Sequence, residues 1–370
     1  MFLKKNKMNY SSRLKNIFPI NYFEKIKTRN WLPYSKLILC NDGSDWVLDW
    51  EAKELKKICE NLKISTLDKN YIKMSNKQSV FYTSRYHVLN NWKKQNHRIA
   101  FPYFHGKPNS DNGFRKMFNT IKKNNKEINR IQVSHSEMKE IILDTGIDAN
   151  KVFCIPIGIN ENYFTKTTKD LRSKMRKKLN IPKNAIVIGS FQKDGNGWGE
   201  GLEPKLIKGP DIFLKTVRIL KEEIPELFIL LTGPARGYIK TGLEKLKIPY
   251  FHFVLDNYTD IEKYYNALDL YIVSSREEGG PKAILESMIS GIPLVTTRVG
   301  QAMDLVNHGK NAWMVETEDY EGLAYWSKYA IENKSQIEQI ISEGVKTALE
   351  NTYTNQIDLW DDFMKGFVKF

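Results

Sequence analysis

The window Tyr271–Gly300, YIVSSREEGGPKAILESMISGIPLVTTRVG, holds the residue types best suited to chemistry. It reads as strand, loop, helix, turn and strand. A strand ending at Ser274 passes into a loop carrying Arg276, Glu277 and Glu278, and Gly279, Gly280 and Pro281 then lead into a helix over Lys282–Ser290. Glycines leave backbone N–H groups open, and those donors at the positive end of a helix suit an anion such as a diphosphate. Pro281 in the first helical turn gives up an N–H that has no intrahelical partner. Glu286 follows Glu278 by eight residues, about two helical turns, which sets two carboxylates along one wall. Carboxylates suit phosphate poorly, but each accepts two hydrogen bonds from a vicinal diol such as a sugar or ribose presents. The same text also reads as a surface helix whose first-turn glutamates are favoured by the helix dipole. The Gly-Gly-Pro turn weighs against that plainer reading.

Short apolar runs alternating with longer amphipathic stretches supply the elements that must hold this window. Strands are expected at Lys36–Cys40, Ser79–Ser84, Ile99–Phe104, Arg130–Ser134 and Val152–Pro156. Helices are expected between them at Trp46–Leu62, Tyr86–Lys94, Gly113–Asn124 and Ser136–Thr145, the last with a serine cap. A polar linker and helix cover Asn160–Lys183. Strands follow at Ala185–Phe191, Leu227–Thr232, Tyr250–Val254, Leu270–Ser274, Ile292–Thr297 and Ala312–Val315, with helices at Pro210–Glu223, Ile261–Leu268 and Tyr320–Ala330. The pattern predicts two doubly wound, Rossmann-like α/β domains, residues 1–165 and 166–354, facing across a cleft that is the default ligand site. Residues 355–370 place Ile357, Trp360, Phe363 and Phe367 on one helical face, so this helix is expected to cross back onto the first domain. Asp194–Gly201, DGNGWGEG, reads as a mobile glycine-rich loop.

These residues resemble glycosyltransferase family 4, the retaining nucleotide-sugar transferases of the GT-B fold. The family's E-x7-E motif stands here as Glu278 to Glu286. YNALDLYIVSSREEGGPKAILESMISGIPLVTTRVG is similar to its donor-site core, and Val133–Phe164 is similar to the segment closing its first domain. The resemblance implies that Glu278 contacts the transferred sugar and supports positive charge developing at its anomeric carbon. Glu286 would hold the ribose, and the backbone of Gly279, Gly280, Pro281, Lys282 and Ala283 would cradle the diphosphate. It further implies a basic pair that neutralises the diphosphate, here Lys193 and Lys208. Lysine stands at 193 where arginine is usual, and fifteen positions separate the pair where family members have only a few. His105, in IAFPYFHG, matches a family histidine that touches the donor sugar across the cleft, although a lone histidine at a strand end is more often structural and His135 is a rival. Gly43, in NDGSDW, is placed to approach the diphosphate from the first domain, and NDG is also a generic turn.

The chain has 370 residues and a formal charge of +14, all of it in one half: residues 1–165 carry 29 Lys and Arg against 15 Asp and Glu, and residues 166–370 carry 28 of each. A basic half serves solubility or faces anionic groups, here read as a glycan or lipid-linked acceptor and, peripherally, an anionic membrane surface. The longest apolar runs, such as Phe228–Leu231, fall far short of the ~20 residues that cross a bilayer, and no apolar core follows the start MFLKKNK. A soluble cytoplasmic chain is therefore expected, peripheral at most on the inner membrane face. Three widely spaced cysteines read as buried hydrophobes. No Asp-x-Asp pair occurs, which predicts a reaction without metal or other cofactor. Dinucleotide, P-loop, GxSxG and nucleic-acid-binding signatures are missing as well. The expected function is retaining transfer of a sugar from a UDP- or GDP-type donor to an acceptor hydroxyl in cell-surface glycan or glycolipid synthesis. A GT-B nucleotide-sugar epimerase or hydrolase, or a binding protein without catalysis, is the alternative.

Overall fold

Leu227–Thr232, LFILLT, is buried along its whole length, as a strand covered by helices on both faces must be. The computed structural model describes residues 36–41, 47–69, 78–84, 97–104 and 106–368. Six strands form the first sheet: β1 (Lys36–Cys40), β2 (Ser65–Asp68), β3 (Ser79–Tyr82), β4 (Arg98–Tyr103), β5 (Arg130–Val133) and β6 (Val152–Cys154). They pair in parallel in the order β2-β1-β3-β4-β5-β6. The second sheet contains β7 (Ile186–Phe191), β8 (Leu227–Thr232), β9 (Tyr250–Phe253), β10 (Leu270–Val273), β11 (Leu294–Thr297) and β12 (Trp313–Val315). Its order is β12-β11-β10-β7-β8-β9, again parallel, with Ile188 of β7 opposite Leu270 of β10. Strand order reverses between β7 and β10, which is where open α/β sheets take ligands at the carboxyl edge.

Four apolar clusters cover the faces of the two sheets. The C-terminal helix Ile357–Met364 belongs to the first sheet's core, where Trp360, Phe363 and Phe367 pack with Leu37, Phe81 and Ala100. Each such side chain, taken fully out of water, contributes about 1.5–3 kcal/mol. Ser79 Oγ donates to the Phe367 carbonyl at 2.6 Å, and Arg130 donates to the carbonyls of Phe363 and Lys365 at 3.2 and 3.0 Å. The carboxyl edges of the sheets face each other. Phe104, just past β4, and Ser134, just past β5, both touch Gly279, which follows β10.

Several expectations change. Ser136 does not cap its own helix; it is the first residue of Ser136–Leu143, and the cap comes from the other domain. Asp304 accepts from the Ser136 backbone N–H at 2.7 Å and from its hydroxyl at 2.6 Å. The edge strand β2 and the helices Gly237–Lys245 and Glu338–Glu350 were not foreseen. The helix expected at Tyr86–Lys94 lies outside the described residues. The glycine-rich loop, expected to be mobile, is fastened at both ends. Lys205 N–H donates to the Asp194 carbonyl at 2.7 Å, Gly237 N–H donates to the Glu200 carbonyl at 2.7 Å, and the buried Asp194 carboxylate pairs with buried Arg236. A Cβ on Gly201 would lie 2.2 Å from the Ala235 carbonyl oxygen, so glycine there serves close packing.

Candidate active site

The β10 strand ends at Val273, and the loop beyond it meets the turn that carries Lys208. The approach is close because residue 209 is glycine. Its φ is +61°, and a Cβ there would lie 1.8 Å from the Ser274 carbonyl oxygen. Lys208 Nζ then reaches both carboxylate oxygens of Glu278 at 2.6 Å, and Ser275 Oγ donates to Glu278 at 2.9 Å. Glu278 is 10% exposed and Lys208 24%, so the pair is partly shielded from water.

The glycines after Glu278 pack against the first domain. A Cβ on Gly279 would lie 1.1 Å from the Phe104 carbonyl oxygen, and one on Gly280 would lie 2.6 Å from Ile157 Cδ1. Ser134 Oγ donates to the Gly279 carbonyl at 2.6 Å, and the buried His135 ring lies 2.9 Å from the same hydroxyl, burial holding its pKa below the usual histidine value. The backbone N–H groups of Gly279, Gly280, Lys282 and Ala283 donate to no other described residue. Pro281 precedes the helix Ala283–Ile289 by one residue more than expected, with Lys282 at its cap. The Lys282 ammonium donates to Glu51 of the first domain at 2.7 Å and to the Tyr353 hydroxyl at 3.0 Å. Only its backbone is left for an anion.

Glu286 is 3% exposed and lies behind two tyrosines. Tyr265 donates to one carboxylate oxygen at 3.0 Å, and the Tyr258 hydroxyl donates to the other. Burial pushes the Glu286 carboxyl above the usual glutamate value, although Lys282 and the two phenols oppose the shift. Tyr258 in turn contacts Trp50 of the first domain, ring centroids 5.0 Å apart. The two glutamates therefore do not line one open wall: Glu278 faces Lys208 while Glu286 is capped. Lys193 holds its ammonium 4.4 Å above the exposed Trp198 ring. Gly43 and His105 lie outside the described residues. Sequence reasoning passed over Ser275, Tyr258, Tyr265, Ser134 and Glu51, whose partners lie up to 302 positions away in the chain. Two surface cavities, of about 490 and 390 Å³, are lined by residues of 307–347 and of the helix Asn112–Asn124 and include no residue of the Glu278 loop.

The profile of the family Glycosyl transferases group 1 matches residues 202–347, the stretch that carries Lys208, Glu278 and Glu286. This stretch is a glycosyltransferase group 1 domain. The match leaves out the first sheet and covers less than half of the chain. Mannosylfructose-phosphate synthase of Agrobacterium fabrum is 25% identical over 203 residues, 50% of this chain and 41% of that protein. The UDP-Gal:alpha-D-GlcNAc-diphosphoundecaprenol alpha-1,3-galactosyltransferase of Escherichia coli is 25% identical over 202 residues, 52% of this chain and 48% of that protein. Each match therefore spans less than half of the relative's length. The crystal structure of Anabaena HepE in complex with UDP and glucose superposes with a TM-score of 0.72 at 15% identity, covering 90% of this chain and 100% of that one. The fold is GT-B, with the group 1 domain forming most of the second α/β unit.

Proposed function

We propose that the chain is a glycosyltransferase that moves a sugar, with retention of anomeric configuration, from a nucleoside diphosphate donor of the UDP or GDP type to a glycan or lipid-linked acceptor. The reading includes membership of family 4, with Glu278 and Glu286 as its motif, and a place in cell-surface glycan or glycolipid synthesis. The observation that carries it is the Lys208–Glu278 pair standing beside four backbone N–H groups that donate to no other described residue. A diphosphate draws Lys208 and those N–H groups, which stabilise the leaving charge most in the transition state. Glu278, released from the lysine, accepts from sugar hydroxyls. Front-face attack lets the departing phosphate oxygen take the acceptor's proton, so no separate base is required. Ribose hydroxyls bind Glu286 by replacing the Tyr258 hydroxyl. Contacts between the domains exclude water. His105, Gly43 and Lys193 belong to the same proposal, as do cytoplasmic placement, contact of the basic half with an anionic membrane face, and turnover without a metal.

Relatives named for sugar transfer to glycan or phosphorylated acceptors and a structural neighbour solved with UDP and glucose support this reading. No observation favours the epimerase, hydrolase or binding-protein alternatives. A thermal-shift panel of UDP-, GDP-, ADP- and dTDP-sugars on wild type and Glu286→Ala tests it. The true donor raises the melting temperature by mass action and the variant loses most of that gain. A panel in which no nucleotide sugar shifts the wild type overturns the proposal.

A further inference from the structure

We propose that Arg276 is a positioning residue that fixes Lys208 against Glu278 without touching the substrate itself. This inference rests on the reading of that pair as part of the donor site. A guanidinium has five N–H donors in a rigid planar fork, and here all five are committed. Two go to the Asp211 carboxylate oxygens at 2.7 Å each, one to the Leu206 carbonyl at 2.7 Å, one to Glu318 at 3.0 Å, and the Nε–H to the other Glu318 oxygen. None remains for a phosphate.

Leu206 and Asp211 lie on either side of Lys208 in the chain, so the one side chain grips the lysine's turn from both directions. The backbone of the same segment adds to the grip. The Arg276 and Glu277 N–H groups both donate to the Ile207 carbonyl, at 2.9 and 3.0 Å, and Ser274 Oγ donates to the Gly209 carbonyl at 2.9 Å. Glu278 follows two residues later, so the clamp and the carboxylate share one loop.

The long connection between β7 and Lys208 explains why such a clamp is needed. Lys208 returns only after the excursion through Lys193 and the glycine-rich loop, and the Lys205 N–H bond to the Asp194 carbonyl ties that loop to the end of β7 but not to the segment after β10. The two 2.6 Å contacts between the Lys208 ammonium and the Glu278 carboxylate join these two loops, so the pair depends on how the loops are set against each other. Arg276 supplies that registration between the segments following the adjacent strands β7 and β10.

The test uses the full chain and two readouts. Limited acetic-anhydride labelling followed by mass spectrometry measures Lys208 against the exposed Lys263. In Arg276→Gln, Lys208 labelling rises about fivefold relative to Lys263 as the pair loosens. Glu318→Gln removes the charge of an exposed partner of Arg276 and gives a smaller rise, which keeps the test valid should Arg276→Gln fail to fold. With UDP-glucose as probe and UDP release as signal, Arg276→Gln lowers kcat at least about tenfold while KM stays within about threefold. Unchanged Lys208 labelling in both variants overturns the proposal whatever the donor is. A rise in KM with kcat maintained also overturns it, because that result makes Arg276 a donor ligand. Should wild type bind and turn over no nucleotide sugar, the transferase reading falls, and the labelling still decides the clamp.

Discussion

Replacing Tyr258 with phenylalanine removes one oxygen atom and separates two roles of Glu286. In this structure the carboxylate is 3% exposed, accepts from Tyr258 and Tyr265, and sits under a ring that contacts Trp50 and the Lys282 ammonium. A hydrogen bond to an ionised group contributes about 1.5–3 kcal/mol. Tyr258→Phe should therefore destabilise the protein by about that amount, lowering its melting temperature by about 3–12 °C for a domain of this size. The same interaction is what an incoming ribose must displace. Its loss should tighten nucleotide binding, and since 1.4 kcal/mol corresponds to tenfold, the limit is about a ten- to hundredfold fall in the UDP Kd. Isothermal titration with UDP on wild type and Tyr258→Phe, each checked for an intact melting transition, measures the effect directly. A folded Tyr258→Phe protein that binds UDP no more tightly than wild type refutes the reasoning, because the phenol and the ribose would then not compete for Glu286.

Other perturbations address neighbouring parts of the site. Glu278→Gln should cut turnover by at least about a hundredfold while leaving UDP affinity within a few-fold, since the side chain acts on the sugar, and steady-state kinetics beside titration separate the two effects. Lys208→Ala should cut turnover far more than UDP affinity, because the charge on the leaving phosphate that it faces is greatest in the transition state. Gly279→Ala puts a methyl group where the Phe104 carbonyl already lies, 1.1 Å away, so the domains cannot close in this arrangement; UDP binding should survive and turnover should collapse, and normal turnover would mean that closure is not required. Burial alone would raise the Asp269 carboxyl, but Arg172 and Arg176 outweigh it and hold the carboxyl below the ordinary aspartate value of about 3.9. That lowered value stabilises the fold above pH 4 and the contribution is lost as pH falls through it, so wild type should lose melting temperature below pH 4 more steeply than Asp269→Asn. At neutral pH the variant should be less stable by about 3–5 kcal/mol, having left two part-buried arginines without their carboxylate.

Reading the chain alone located most of the strands and the helices around the Glu278 loop, because those depend on local pattern. Uninterrupted apolar runs such as Leu227–Thr232 form buried parallel strands wherever they pair, and a Gly-Gly-Pro turn after β10 opens backbone donors on its own. The apolar face of Ile357–Met364 likewise announced a helix that needs covering. Edge strand β2, Ser65–Asp68, was missed because its side chains are half exposed and carry little apolar signal. What stands opposite each functional residue was decided only in three dimensions. Asp304 caps a helix 168 positions away, Lys282 meets Glu51 231 positions away, and Glu286 disappears behind Tyr258 and Tyr265 instead of facing the cleft beside Glu278. Backbone preference and side-chain periodicity act over a few residues and are written in the order of the chain. Pairing between distant groups depends on how two sheets and the chain segments crossing between them come to rest against each other, and no local pattern encodes that.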